Sequence, residues 1–118
     1  NAVSLKKRGL LLEPLQFTLV LGVPGAVPAS PNHLNALTSL LPSQSIWTTA
    51  VADSSAYWRL LGITIAIGGH VRTGLEDWNG MTGQLSNLEL VRKTVRLAEQ
   101  MNRPIATNAQ VRNLLGLD

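Results

Sequence analysis

Three short strand-like runs, each followed by a helical pattern, constrain this chain more than any other feature. Leu15 to Leu21 is an apolar run that reads as a buried strand, and Ile46 to Val51 is rich in Thr and β-branched residues. His70 to Gly74 is the third run, delivered by apolar Leu60 to Ile67 and the pair Gly68-Gly69. Between and after them lie segments with helix-start signals. Ser30-Pro31 places a capping hydroxyl before a proline at the first helical position. Ser54 or Ser55 is positioned to cap a helix over 56–67. Ser86 with Glu89 and Thr107 with Gln110 both have the spacing of a capping box. Regular strand–helix alternation of this kind predicts parallel strands covered by helices, an α/β chain.

The remaining boundaries follow from breakers and faces. Asn1 to Arg8 reads as the last turns of a helix, with Gly9 past its end and Pro14 barring continuation. Leu34, Leu37 and Leu41 mark one face of the helix after Ser30, and Pro42 closes it. Leu88, Val91, Val95 and Ala98 mark a face of the helix after Ser86. Trp78 to Leu85 reads as a loop containing Gly80 and Gly83, and the last helix ends at Gly116.

The chain has 118 residues, of which 45% are hydrophobic and 14% charged, with a net charge of +3. A charged share near 25% is usual for soluble domains. The apolar balance suits strands covered on both faces, or surface buried by other parts of a larger protein, and the chain is expected to be a piece of a longer polypeptide. Its basic residues are scattered, apart from Lys6-Lys7-Arg8 and Arg92-Lys93 with Arg96, and no aromatics are interleaved with them. Nucleic acid is therefore not an expected partner, whereas a mild positive balance is compatible with an anionic small molecule. Without cysteine there is no disulfide, thiolate site or cysteine nucleophile, which fits a cytoplasmic protein. No apolar run reaches the roughly 18 residues of a membrane span.

Chemistry concentrates in 68–77, where paired glycines, His70, Arg72, Glu76 and Asp77 fall within ten residues. On an extended strand His70, Arg72 and Gly74 share one side. Arg72 and Glu76 would then lie about 13 Å apart, at about 3.3 Å per residue. Direct pairing requires a bend after Gly74, which glycine permits, and Asp77 would sit in the turn itself. Read from the residues alone, the cluster is either a salt bridge closing a strand-to-loop corner or a functional site. His33, at a helix start, reads as a surface histidine, and His70 as a packing residue or one that supports the site residues from behind. Trp47, Trp58 and Trp78 are scattered, and at least two are expected to pack in the interior.

The segment Gly68-Gly69-His70-Val71-Arg72-Thr73-Gly74-Leu75-Glu76-Asp77 resembles the signature of the beta-keto acid cleavage enzymes. The resemblance continues, in the same order, through Phe17 to Gly25, Pro42 to Trp47, Ser86-Asn87 to Leu97-Ala98, and Ala106-Thr107 to Leu117. It implies that residues 1–118 are the C-terminal portion of a single TIM-barrel domain, carrying the last three β/α units of a (β/α)8 barrel that is incomplete in this chain. It also implies acyl exchange between a beta-keto acid and acetyl-CoA in a homotetrameric enzyme. Glu76 then matches a carboxylate ligand to a catalytic divalent metal, usually zinc. Asp77 matches the catalytic acid/base, and Arg72 the arginine that holds it. The sequence departs from the family at several points. The His-x-His pair of the family's metal site is absent, Val51 to Ser55 replaces a glycine-containing loop, Ala26 replaces a glycine and Trp78 an asparagine. The other reading is a catalytically silent fragment or structural subunit that needs the missing strands.

Overall fold

A computed structural model of the chain describes residues 2–78 and 85–117. The first helix, α1 (Ala2–Lys7), ends with two lysines in its last turn, where cations suit the helix dipole, and Gly9 follows at φ +70°. Strand β1 (Gln16–Leu21) leads through a loop to α2 (Pro31–Ser39). Ser30 caps α2 by accepting the His33 backbone N–H, and Pro31 sits in its first turn. The leucine face docks as expected, with Leu34 fully buried and Leu37 and Leu41 packed on the core.

Strand β2 (Ile46–Val51) has the expected bounds. Helix α3 (Tyr57–Ala66) starts differently from the serine-capped reading. Asp53 provides the turn before it, its Oδ1 accepting the backbone N–H groups of Ser55 (2.9 Å) and Ala56 (3.2 Å) and the Ser55 hydroxyl (2.7 Å). A carboxylate accepts several donors at once, so it takes the role that a serine hydroxyl would fill less completely.

At the far end of α3, Arg103 donates to the Ile65 and Gly68 carbonyls, both at 3.0 Å. The two glycines that follow α3 have separate reasons. Gly68 has φ +92°, and at Gly69 a Cβ would come within 2.3 Å of the Trp47 ring.

Strand β3 is only His70–Val71, not His70 to Gly74. The Arg72 backbone N–H still reaches the Thr49 carbonyl at 2.9 Å. Past that bond the chain leaves the ladder and winds into a helical turn, α4 (Leu75–Trp78), closed by Trp78 N–H to Gly74 C=O at 2.9 Å. The bend after Gly74 is therefore present, as a helical turn rather than a loop. Of the loop expected over 78–85, residues 79–84 lie outside the described residues, as does Asn1 at the expected start of the first helix.

The capping boxes of α5 (Asn87–Gln100) and α6 (Asn108–Leu115) are both complete, and α6 ends at Gly116 with φ +64°. The face that α5 docks matches the expected one only in part: Ala98 is buried and Val95 half-buried, but the start of the face is rotated. Leu90, Thr94 and Ala98 are buried, whereas Leu88 and Val91 remain 57% and 47% exposed. Thr94 can lie inward because its hydroxyl returns to the Leu90 carbonyl at 2.9 Å.

The three strands form one parallel sheet in the order β1-β2-β3, with Gln16 opposite Ile46 and Thr48 opposite His70. One face carries the core. Leu19, Leu21 and Val51 pack with Leu34, Tyr57, Leu60 and Leu61 from the helices. A buried Thr64–Thr49 hydroxyl pair at 3.0 Å joins α3 to β2. The opposite face is only partly covered, since Gln16, Thr18 and Val20 of β1 are exposed, so of the two arrangements that suit the apolar composition the strands do not show the one with both faces covered. Residues of α6 close part of it around a 310 Å³ cavity bordered by Thr18, Thr48 and His70.

Among the described residues β1 and β3 each pair on one side only, and open edges of this kind invite association. The isolated 118-residue chain is therefore expected not to behave as a stable monomer. Size-exclusion chromatography with amide exchange checks this: self-association or weak strand protection is the expected result, and a monodisperse monomer with protected strand amides is the contrary one.

Candidate functional site

The corner after β3 gathers the charged residues of 68–77 at the carboxyl end of the sheet. Arg72 is fixed through its backbone to β2, and α4 returns the chain toward it. Its guanidinium meets Asp77 side-on, with Nε donating to Oδ2 at 2.9 Å and Nη2 donating to Oδ1. This forked pair uses both carboxylate oxygens and is the geometry that arginine provides and lysine cannot. Asp77 raises the already high pKa of the guanidinium, chiefly through this hydrogen bond. The two adjacent carboxylates have different surroundings. The Asp77 side chain is 7% exposed, whereas that of Glu76 is 87% exposed, with its Oε2 3.7 Å from Arg72 Nη2.

Two further contacts shape the corner. Asn87, the first residue of α5, accepts the Leu75 backbone N–H on its Oδ1 at 2.9 Å, which ties the start of α4 to α5. The Tyr57 hydroxyl and Thr73 Oγ1 are 2.7 Å apart. Tyr57 is fully buried, and burial pushes its phenol above the ordinary tyrosine value, partly offset by its bonds to Thr73 and the Gly74 backbone. Arg72, Gly74, Glu76, Asp77 and Asn87 border an open depression of about 270 Å³.

The sequence-predicted site residues Arg72, Glu76 and Asp77 are thus brought together. The histidines are not part of this cluster. His33 is exposed, its Nδ1 2.7 Å from Ser30 Oγ at the start of α2. His70 is half-buried beside the cavity under α6. Among the described residues, no group of three or more His, Cys, Asp or Glu side chains is placed to hold a metal ion. Glu76 offers an exposed carboxylate, a donor that divalent metals accept, but on its own it is one ligand.

Trp58 and Trp78, twenty residues apart in sequence, meet with ring centroids at 5.8 Å, and Tyr57 packs edge-on against both at 5.0 and 5.1 Å. Trp47 packs on the same core, so the tryptophans form interior contacts rather than an open stacking set. Tyr57, Thr73 and Asn87 were missed in the sequence reading. The available signal was the tyrosine itself, the one Tyr in the chain, lying in an apolar helix where a buried hydroxyl requires a partner.

A parallel sheet alternating with helices, with a polar cluster at its carboxyl end, defines an α/β protein. Within that class the chain belongs to the beta-keto acid cleavage enzyme family, whose model matches residues 1–117. It is 38% identical over 120 residues to the 3-keto-5-aminohexanoate cleavage enzyme of Acetoanaerobium sticklandii, covering 98% of this chain and 43% of that protein. It is 35% identical over 128 residues to the 3-oxoadipate:acetyl-CoA acetyltransferase of Cupriavidus necator, covering 99% of this chain and 43% of the relative. Against the 3-dehydrocarnitine:acetyl-CoA trimethylamine transferase of Rhizobium meliloti the identity is 31% over 119 residues, covering 98% and 39%. The chain therefore spans less than half the length of these relatives. No helix among the described residues is long and apolar enough to cross a membrane.

His70 generates a pH prediction. Burial holds its pKa below the ordinary value of 6.5, and the nearby Arg103 cation acts in the same direction. The folded state therefore binds fewer protons than the unfolded state, and stability rises with pH. His70 contributes fully above about pH 6.5, and its contribution is lost as pH falls from there through the folded-state pKa. In the complete protein, His70→Gln should flatten the drop in urea midpoint between pH 7.5 and pH 5.5. An unchanged drop would remove His70 from the account.

Proposed function

We propose that this chain is the C-terminal part, the last three β/α units, of a TIM-barrel enzyme that exchanges acyl groups between a beta-keto acid and acetyl-CoA. The forked Arg72–Asp77 pair carries this reading. A carboxylate held on both oxygens by a guanidinium, bordering an open depression at the strand ends, is suited to act at one defined position on a substrate. The relatives named for acetyl-CoA transfer and 3-keto acid cleavage supply the substrate class. The alternation of parallel strands with helices agrees with a barrel segment.

In this reading Asp77 is the acid/base that takes up and returns a substrate proton, using a lone pair that Arg72 leaves free. Arg72 fixes the direction of that lone pair and balances the carboxylate charge. Glu76, exposed beside the pair, supplies one ligand to a divalent metal, zinc in the first instance. The other ligands come from parts of the enzyme outside this chain, because the described residues do not form a complete site. The metal, when bound, would polarise the oxygens of the keto acid. The exposed edges and uncovered sheet face are filled by the remaining strands, in a cytoplasmic enzyme that assembles as a homotetramer. The 118-residue chain by itself would then be catalytically silent.

The adjacency of Glu76 and Asp77 allows one experiment to test the assignment. In the complete enzyme Glu76→Gln should lower metal content, since a neutral amide oxygen is a poorer donor to a divalent cation. Asp77→Asn should keep metal content near wild type while turnover falls by about 10²-fold or more, the usual scale for loss of a positioned acid/base. Equal metal loss in both variants, or full activity in Asp77→Asn, would refute the assignment.

A further inference from the structure

Arg72 and Asp77 lie on two arms of a hairpin-like corner, and neither arm is regular secondary structure over its whole length. β3 ends at Val71, before Arg72, and α4 has four residues. Four residues are too few to hold a helical turn in place by their own hydrogen bonds. Something outside the corner must set the distance between the arms. Asn87 holds the start of α4, through the Leu75 N–H. Among the described residues, the Tyr57 side chain reaches both arms from outside the corner. The Tyr57 hydroxyl bonds Thr73, the residue after Arg72, and its ring packs edge-on against Trp78, the residue after Asp77. Tyr57 has no exposed surface and is anchored on α3, which itself packs on β2 and β3.

We propose that Tyr57 is a positioning residue for the Arg72–Asp77 pair. Its hydroxyl holds one flank through Thr73 and its ring holds the other through Trp78, so that the guanidinium and the carboxylate meet on both oxygens. This inference rests on the acid/base reading of Asp77 and adds to it a residue that touches neither substrate nor metal. The ring provides shape and the hydroxyl provides registration. Removing only the hydroxyl leaves the aromatic packing in place but frees Thr73, next to Arg72, to shift beyond the Thr49 bond that holds the Arg72 backbone. A displacement well under 1 Å is enough to turn a forked pair into a single contact, and misplacement on the 1 Å scale can lower turnover by about a hundredfold.

The test uses the complete enzyme assayed with a 3-keto acid and acetyl-CoA. Tyr57→Phe and Thr73→Val each delete one partner of the same hydrogen bond, and both are made in the wild type and in an Arg72→Lys background, which lacks the fork. In the wild-type background each should lower kcat by about fivefold or more with KM changed less than about twofold, the signature of an interaction expressed in the transition state. In the Arg72→Lys background neither should cause a further loss, because the alignment they support is already gone. Thr73→Val keeps the Tyr57 side chain intact, so it gives the answer if Tyr57→Phe does not fold. Wild-type kcat in the folded variants, with Arg72→Lys impaired, would overturn the inference and leave the acid/base reading standing. An equal loss in both backgrounds would assign Tyr57 to general stability and also overturn it. Full activity of Arg72→Lys would instead remove the acid/base reading on which the inference rests.

Discussion

The forked contact between Arg72 and Asp77 is the interaction on which the corner depends. A carboxylate as buried as Asp77 is unfavourable without a partner, and removing the partner of a buried charge is more damaging than removing both groups together. Arg72 meets that need while keeping about half of its own side chain in contact with solvent, which reduces the desolvation cost of the pair. The other features of the corner follow from bringing these two groups together. Gly74 allows the chain to turn, α4 brings Asp77 back, and the Thr49 carbonyl holds the Arg72 backbone against β2. The same turn that directs Asp77 inward directs Glu76 outward, so two adjacent carboxylates acquire different surroundings and can take different roles.

Helix α3 links this corner to the core. Its outer end is closed by Arg103, its turn into β3 is compressed by the approach of Trp47 to Gly69, and its first residue is Tyr57. The apolar contacts that stabilise the sheet therefore also place the polar site, because Tyr57 belongs to the same buried cluster as Leu60 and Leu61. Lys93 of α5 lies over the Trp58 ring at 4.3 Å, adding a cation–π contact to the same helix pair. Stability and the geometry of the corner share these residues, and that limits how freely either could change.

Features governed by neighbouring residues were legible in the sequence. Ser30 with Pro31, Ser86 with Glu89, and Thr107 with Gln110 each set a helix start through contacts within three residues. The need for a bend after Gly74 was also readable, because strand geometry alone puts Arg72 and Glu76 too far apart. Features set by distant partners were not. Asn87 and Tyr57 lie 12 and 16 residues from the groups they hold. The helical form of α4 depends on those contacts, so β3 was read three residues too long. The docked face of α5 agrees with the sequence pattern at Ala98 and departs from it at Leu88 and Val91, which are as apolar as the residues that pack, so only the tertiary arrangement selects among them. The roles proposed for Glu76 and Asp77 rest on family resemblance, because the spacing of the residues alone is compatible with a structural salt bridge.

The central claim is that the arginine fork directs a catalytic carboxylate rather than closing a structural corner. Arg72→Lys in the complete enzyme tests this most directly, because it keeps the positive charge and removes the planar two-bond contact. Turnover measured alongside metal content and thermal stability should fall by at least about tenfold, roughly 1.4 kcal/mol of transition-state stabilisation, with the other two quantities close to wild type. Near-normal turnover in a folded, metal-loaded Arg72→Lys enzyme would contradict the account and leave the pair as a structural salt bridge.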